Sequence, residues 1–133
     1  MFQELWQEVS RILSTYTEDR FLFTSVLALA ETRQGIELCE PGKRRAALEE
    51  WLEQDLRRSF ETRLLPVTQA VADRWAVLSA RMQQRGTPPA TIDGLIGATA
   101  LEHGLTVTTR NVKDFAGLGI EIFNPWESET AEQ

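Results

Sequence analysis

This sequence has very few of the side chains that bind soft metals or form disulfides. It contains one cysteine, Cys39, and one histidine, His103, which excludes an internal disulfide and a cysteine-rich zinc site. Any metal that it binds is held by oxygen ligands. No uncharged stretch approaches the roughly 20 apolar residues of a membrane-spanning helix, and the first residues lack the basic start of a signal peptide. We therefore expect a cytoplasmic protein with no membrane segment.

Positive charge is also scarce. The chain has 14 Lys and Arg against 20 Asp and Glu, a formal net charge of -6, so it has no global field that attracts nucleic acid. The basic residues at 43–45 and 57–58 are interleaved with the acids Glu49, Glu50, Glu53 and Asp55, which is typical of a solvated helix face. The sequence also lacks a glycine-rich phosphate loop and a Gly-x-Ser-x-Gly motif, which excludes most common nucleotide-binding and serine-hydrolase sites.

What the chain does contain is the composition of a globular protein. It has 133 residues, of which 42% are hydrophobic and 26% charged, and chains of this length usually form one domain. We predict a single domain over residues 1–126, followed by an acidic flexible tail over residues 127–133.

Apolar spacing predicts alternating helices and strands. Helices are expected over 2–14, 26–37 and 68–85, from Thr91 to a stop at Gly104, and after Pro41-Gly42, where Leu48, Trp51, Leu52 and Leu56 form the buried side. Strands are expected over 21–25, 63–67, 105–109 and 120–123. This alternation predicts the α/β class, in a three-layer α/β/α arrangement with a mostly parallel sheet.

The second predicted helix carries an acid of special interest. Ser25 and Thr91 are expected to act as helix N-caps. In the helix that follows Ser25, we expect a buried stripe of Leu27, Ala30, Gln34 and Leu38, which would place Glu31 near the core.

Polar residues lie where ligand sites of parallel sheets are found, at the ends of these elements. They are Glu31, Asp93, Asn111 and Asp114. Carboxylates that are brought together repel one another unless a hard cation such as Mg²⁺ neutralises them, so the pattern indicates an oxygen-ligand metal site. Simpler interpretations stay open: Asp93 favours the helix dipole, Glu31 is a surface residue, and Asn111 and Asp114 bond their own loop backbone.

Four segments in this order carry a resemblance to a known family. They are SVLALAETRQG at 25–35, TIDGLIGATA at 91–100, TTRNVKDF at 108–115 and FNPW at 123–126. Together they resemble the PIN-domain ribonuclease toxins of bacterial type II toxin-antitoxin systems, in the branch of VapC and FitB. The resemblance runs from residue 1 to residue 126.

The resemblance implies a function and a set of site residues. It implies an endoribonuclease that depends on Mg²⁺ or Mn²⁺, usually a homodimer, inhibited by an antitoxin that inserts a helix or extended tail into the active-site groove. The catalytic positions of the family fall on Glu31, Asp93, Asn111 and Asp114, and Glu31, Asp93 and Asp114 would be the metal ligands. Arg110 would contact the RNA phosphate backbone, and Ser25 or Thr24 would orient a ligand.

The N-terminus departs from the family pattern. Members of the family normally begin with an apolar strand that ends in Asp-Thr-Asn and supplies the first metal ligand, whereas Met1 here falls inside the helix that follows. We therefore expect the first central strand to be missing. Three explanations compete: a start placed too late, which we favour, a strand supplied by another chain, or a sheet rearranged into an inactive remnant.

This departure leaves the function open. The leading hypothesis is an RNA-cleaving toxin, weakened or inactive in this form. One alternative is a non-catalytic PIN-like module that binds the antitoxin or forms the dimer, and another is a structural or regulatory α/β domain whose acids are surface residues.

Overall fold

The computed structural model describes residues 2–127 and shows a helix-rich α/β chain. The helices are α1 (Phe2–Leu13), α2 (Val26–Glu37), α3 (Lys43–Glu50), α4 (Arg57–Ser59), α5 (Gln69–Gln84) and α6 (Thr91–His103), with a π-helical turn at Trp51–Leu56 and 3₁₀ turns at Asp19–Phe21 and Val112–Asp114. The strands are β1 (Thr24–Ser25), β2 (Leu64–Leu65), β3 (Val107–Thr108) and β4 (Ile122–Phe123). Among the helices within residues 2–127, none combines the length and the apolar composition that a membrane span requires.

The chain divides into two compact units, Met1–Pro66 and Val67–Gln133. In the first unit, β1 pairs with β2 in parallel, with Thr24 opposite Leu64. The buried core of this unit comes from α2, α3 and the π-helical turn, and consists of Leu29, Ile36, Leu48, Trp51, Leu52 and Leu56. The indole N–H of Trp6 donates a 3.1 Å hydrogen bond to the hydroxyl of Thr32, which ties α1 to α2.

The second unit has its own sheet and core. Strands β3 and β4 pair in parallel, with Val107 opposite Ile122 and Thr108 opposite Phe123. The core residues come from α5, α6, β3 and the loop before β4, and are Met82, Ala100, Val107, Phe115 and Leu118. Helix α6 ends at Gly104, whose φ of 64° is the left-handed conformation that favours glycine, as the sequence predicts.

The α/β class and the parallel pairing of strands are confirmed, but the strands are shorter than predicted. Residues 21–25 were expected to form one buried strand, whereas only Thr24–Ser25 pair with a neighbour. Phe21 lies in a 3₁₀ turn, and it is 56% exposed. Ladder hydrogen bonding requires a partner strand, and β2 offers only Leu64–Leu65. The described chain thus carries two separate two-stranded sheets, and a missing central strand stays a prediction.

The predicted phase of α2 is wrong. Its buried residues are Leu29, Thr32 and Ile36, while Leu38 is 81% exposed. Glu31 is exposed as well, not near the core. The physical reason is that apolar or small residues occur on every side of the first two turns, so apolar spacing does not identify the face that packs.

The basic stretches form the solvated face that the sequence predicts. Arg45 pairs with Glu37 and Glu49, and Arg57 pairs with Glu53 at 3.1 Å. These two arginines are thus paired with acids of the first unit's helices.

Candidate active site

Two of the predicted acidic residues, Asp93 and Asp114, are electrostatic neighbours. Asp93 lies half-buried in the first turn of α6, and Asp114 is exposed at the end of the 3₁₀ turn that follows β3. Loss of hydration raises the pKa of Asp93 above its ordinary value, and the negative charge of Asp114 raises it further. Asp114 therefore makes ionised Asp93 less favourable, a cost that a bound cation would remove.

The start of α6 explains the place of Asp93. The N-cap position is Ala90, which makes no side-chain cap, and the N–H of Gly94 donates to the carbonyl of Ala90 at 2.8 Å. Thr91 is the first helical residue, so its predicted role as N-cap is wrong. An aspartate in this first turn is favoured by the helix dipole.

A close contact directly behind Asp93 was not anticipated from the sequence. A Cβ atom at Gly94 would lie 3.0 Å from Cδ1 and 3.1 Å from Nε1 of Trp75, and 3.4 Å from Cγ of Pro89. Gly94 thus lets the indole of α5 reach the backbone of α6 beside Asp93. The Trp75 Nε1 atom is buried and has no hydrogen-bond partner in the part of the chain that the structure describes. The available signal was a glycine in a first helical turn, where helix propensity disfavours it.

The loop after β3 places the other predicted residues. The N–H of Asn111 donates to the hydroxyl of Thr109 at 3.0 Å, and the N–H of Asp114 donates to the carbonyl of Asn111 at 3.1 Å. Both side chains are exposed. An open groove of about 490 Å³ borders Asp114 and is lined also by Met82, Thr87, Pro88, Pro89, Lys113, Ala116 and Gly117. A ligand can therefore reach the Asp114 carboxylate from solvent.

The two predicted substrate-binding residues have different surroundings. The Arg110 guanidinium lies over the ring of Trp126, with its central carbon 5.3 Å from the ring centroid. Ser25 is buried, and its hydroxyl accepts a 3.0 Å hydrogen bond from the N–H of Leu27. Ser25 is thus the N-cap of α2, as predicted, while its role in orienting a ligand stays a prediction.

Glu31 lies in the first unit, whereas Asp93, Asn111 and Asp114 belong to the second. Within residues 2–127, no three His, Cys, Asp or Glu side chains are grouped closely enough to hold a metal ion. Mg²⁺, however, is commonly bound through one or two carboxylates while it keeps several waters. The Asp93 and Asp114 carboxylates, with the amide oxygen of Asn111 on the same loop, are a donor set of that chemistry.

Sequence relatives identify the class to which these features belong. The PIN domain family matches residues 4–119 and so runs through both units. The chain is 38% identical to Toxin FitB of Neisseria gonorrhoeae over 113 residues, covering 85% of this chain and 80% of FitB. It is 32% identical to VapC ribonuclease Y4jK of Sinorhizobium fredii over 131 residues, covering 96% of this chain and 94% of that protein. The chain belongs to the PIN domain family.

Solved structures agree with this assignment. The FitAcB crystal structure from Neisseria gonorrhoeae matches with a TM-score of 0.82 at 34% identity, over 90% of this chain and 86% of that one. VapBC-5 from Mycobacterium tuberculosis, a member of the VapBC family of toxin-antitoxin systems, matches with a TM-score of 0.65 at 30% identity, over 77% of this chain and 80% of that one. The predicted PIN fold and the resemblance to VapC and FitB are confirmed.

Proposed function

We propose that this chain is the toxin of a type II toxin-antitoxin pair and acts as a divalent-metal-dependent endoribonuclease. Its relatives are named as a toxin and as a ribonuclease. The observation that carries the proposal to this chain is the Asp93 and Asp114 pair, in which a neighbouring negative charge and lost hydration disfavour the ionised form of Asp93. Without a cation, this repulsion lowers the stability of the folded chain, and a bound cation would offset it. Acids whose pKa is perturbed in this way are typical of functional sites.

The residues divide into metal-holding and substrate-holding groups. Asp93 and Asp114 would bind Mg²⁺ or Mn²⁺, with Asn111 as a neutral oxygen ligand. The family's ligand position that falls on Glu31 stays a prediction, since that residue lies in the first unit. When bound, such an ion stabilises negative charge on a phosphate and makes water a better nucleophile. Arg110 would bind a phosphate of the RNA backbone through its N–H groups. Ser25 would support α2, the helix that carries Glu31, through its cap.

The proposal includes partners and a place of action. The comparison with VapBC-5, a toxin-antitoxin system, supports a cognate antitoxin as a protein partner. RNA is the proposed substrate, and a homodimer is the proposed assembly. Since cellular RNA is the target, we propose the cytoplasm as the place where the protein acts.

Cleavage of purified RNA tests the activity. The full chain is incubated with structured RNAs in Mg²⁺, in Mn²⁺ and in EDTA, and the fragments are resolved on gels. We expect cleavage that requires the metal and is lost in Asp93→Asn and Asp114→Asn. Asp73→Asn is the matched control, because Asp73 is an exposed aspartate of α5 outside these contacts, and it should cleave normally.

Two results would count against the proposal. Cleavage that persists in EDTA and in Asp93→Asn would remove the site. Tight binding of the antitoxin by a chain that never cleaves RNA, with either metal, would instead support the non-catalytic binding module.

A further inference from the structure

Arg110 and Trp126 come from the ends of two paired strands. Thr108 lies opposite Phe123 in the parallel register of β3 and β4, and the N–H of Thr109 donates to the carbonyl of Phe123 at 3.0 Å. Arg110 follows β3 by two residues, and Trp126 follows β4 by three. Both side chains therefore start from the carboxyl edge of this sheet, where ligands of parallel α/β sheets bind.

Local hydrogen bonds define the backbone on both sides of this contact. The side-chain oxygen of Asn124 accepts from the N–H of Trp126 at 3.1 Å, and the neighbouring Pro125 is fully buried. On the other strand, the hydroxyl of Thr109 accepts from the N–H of Asn111 at 3.0 Å. The backbone at Trp126 is thus fixed next to a buried proline and its indole is half-buried, while Arg110 itself is exposed.

The surroundings of Arg110 differ from those of the other arginines that contact aromatic rings. Arg20 lies over Phe21 but also pairs with Glu18 at 2.8 Å, and Arg63 lies over Phe60 but donates to backbone carbonyls. Arg110 lies over Trp126, and no carboxylate within residues 2–127 forms an ion pair with it. The positive charge of Arg110 thus lies over an indole ring and is not neutralised by a carboxylate within residues 2–127.

This arrangement suits a phosphate. A guanidinium that lies over an aromatic ring can still donate its N–H groups to other acceptors, and the fork of these groups matches the oxygens of a phosphate in a bidentate contact. The same loop continues into Asn111 and Asp114, the proposed metal ligands. A phosphate bound by Arg110 would therefore lie on the loop that also carries the proposed chemistry.

We propose that Trp126 is a positioning residue, whose ring holds the Arg110 guanidinium so that it binds a phosphodiester of the RNA chain. This inference rests on the proposed function, since it takes RNA as the ligand. It adds that the C-terminal Asn124-Pro125-Trp126 segment acts on RNA binding through Arg110, without contacting the RNA itself.

An RNA-binding measurement tests the proposal. The ligand is a short fluorescein-labelled single-stranded RNA of mixed sequence, and its binding is followed by fluorescence anisotropy in EDTA at several salt concentrations. Arg110→Ala should weaken binding about tenfold or more and reduce the slope of log K against log salt by about 0.7, the value of one single-strand phosphate contact. Arg74→Ala is the matched control, because Arg74 already pairs with Glu102 at 3.0 Å, and its slope should be unchanged.

Two substitutions at Trp126 distinguish the effect of its aromatic face from the effect of its apolar volume. Trp126→Leu keeps apolar volume without an aromatic face and should weaken binding about two- to fivefold, the fold-change that corresponds to an exposed cation-π contact. Trp126→Phe should bind within about twofold of the wild type because it keeps a ring. In the Arg110→Ala background, Trp126→Leu should have no further effect, since the residue through which it acts is gone.

The results also separate this inference from the proposed function. The inference is overturned if Trp126→Leu lowers RNA affinity equally in the wild type and in the Arg110→Ala background. It is also overturned if Arg110→Ala leaves the RNA affinity unchanged. Both results would hold even if the wild type cleaves RNA. A wild type that never cleaves RNA but binds it with this dependence on Trp126 and Arg110 would overturn the proposed activity and support the inference. Circular dichroism and melting of each variant show that the compared proteins are folded.

Discussion

The contact between Trp75 and Gly94 leads to a quantitative prediction for Gly94→Ala. The new Cβ would lie 3.0 Å and 3.1 Å from two atoms of a rigid indole ring, so either the ring or the start of α6 must move. Overpacking of this kind costs about 1–3 kcal/mol, whereas replacing glycine by alanine within a helix gains about 1 kcal/mol. We expect a net loss of stability of up to about 2 kcal/mol, or about 8 °C in Tm for a chain of this length.

A double-mutant cycle isolates the steric part of this loss. In a Trp75→Leu background the flexible leucine can rotate away from the new methyl group, so Gly94→Ala should become stabilising by about 1 kcal/mol through helix propensity. The coupling free energy between the two positions is then about 1–3 kcal/mol. Urea unfolding followed by far-ultraviolet circular dichroism measures the four free energies of unfolding.

A second glycine of α6 is the control. A Cβ at Gly97 would lie 3.1 Å from Cδ1 of Leu118 and 3.7 Å from Cδ1 of Ile120, and both atoms are ends of flexible side chains. Gly97→Ala should therefore cost less than Gly94→Ala. If Gly94→Ala stabilises the wild type as much as it stabilises Trp75→Leu, the indole does not restrict this helix and the reasoning is refuted.

Two further predictions concern Asp93 and Ser25. Because the pKa of Asp93 is raised in the folded chain, the folded state binds the proton more tightly than the unfolded state does. Stability therefore falls as pH rises from the unfolded pKa of about 3.9 through the folded value. Without metal, Asp93→Asn should melt at a higher temperature than the wild type at neutral pH and at the same temperature below that pH window. A lower Tm of the variant at neutral pH would contradict this. Ser25→Ala removes the hydroxyl that caps α2 and should lower the free energy of unfolding in urea by about 1 kcal/mol. Thr68→Ala at the N-cap of α5 should do the same, while Ser25→Thr keeps the cap. A free energy of unfolding that Ser25→Ala leaves unchanged would show that the cap is dispensable.

Sequence patterns predicted those elements in which polar and apolar residues are clearly separated. The buried side of Leu48, Trp51, Leu52 and Leu56 is predictable because polar residues occupy the other positions from 48 to 56, and all four are buried. In α2 the separation is weak, and the predicted stripe was wrong. The strand predicted over 21–25 failed for a different reason, because pairing depends on a partner that is distant in the sequence.

The candidate site shows the same division. The order of the four motif segments was enough to select Glu31, Asp93, Asn111 and Asp114, because each motif is local. Three-dimensional structure was needed to show that the charge of Asp114 acts on Asp93 and that Trp75 packs against Gly94. These effects join residues about 20 positions apart, and spacing along a chain does not encode such distances.

Several properties of this protein follow from residue identity and short-range periodicity alone: the near absence of soft metal ligands, the scarce positive charge, the alternation of helices and strands, and the motifs of the PIN family. These properties can be read directly from the sequence. Folding was needed to bring Asp114 close enough to Asp93 to act on it and to place an arginine over an indole, because burial, desolvation and cation-π contact are properties of atoms that meet only in the folded chain.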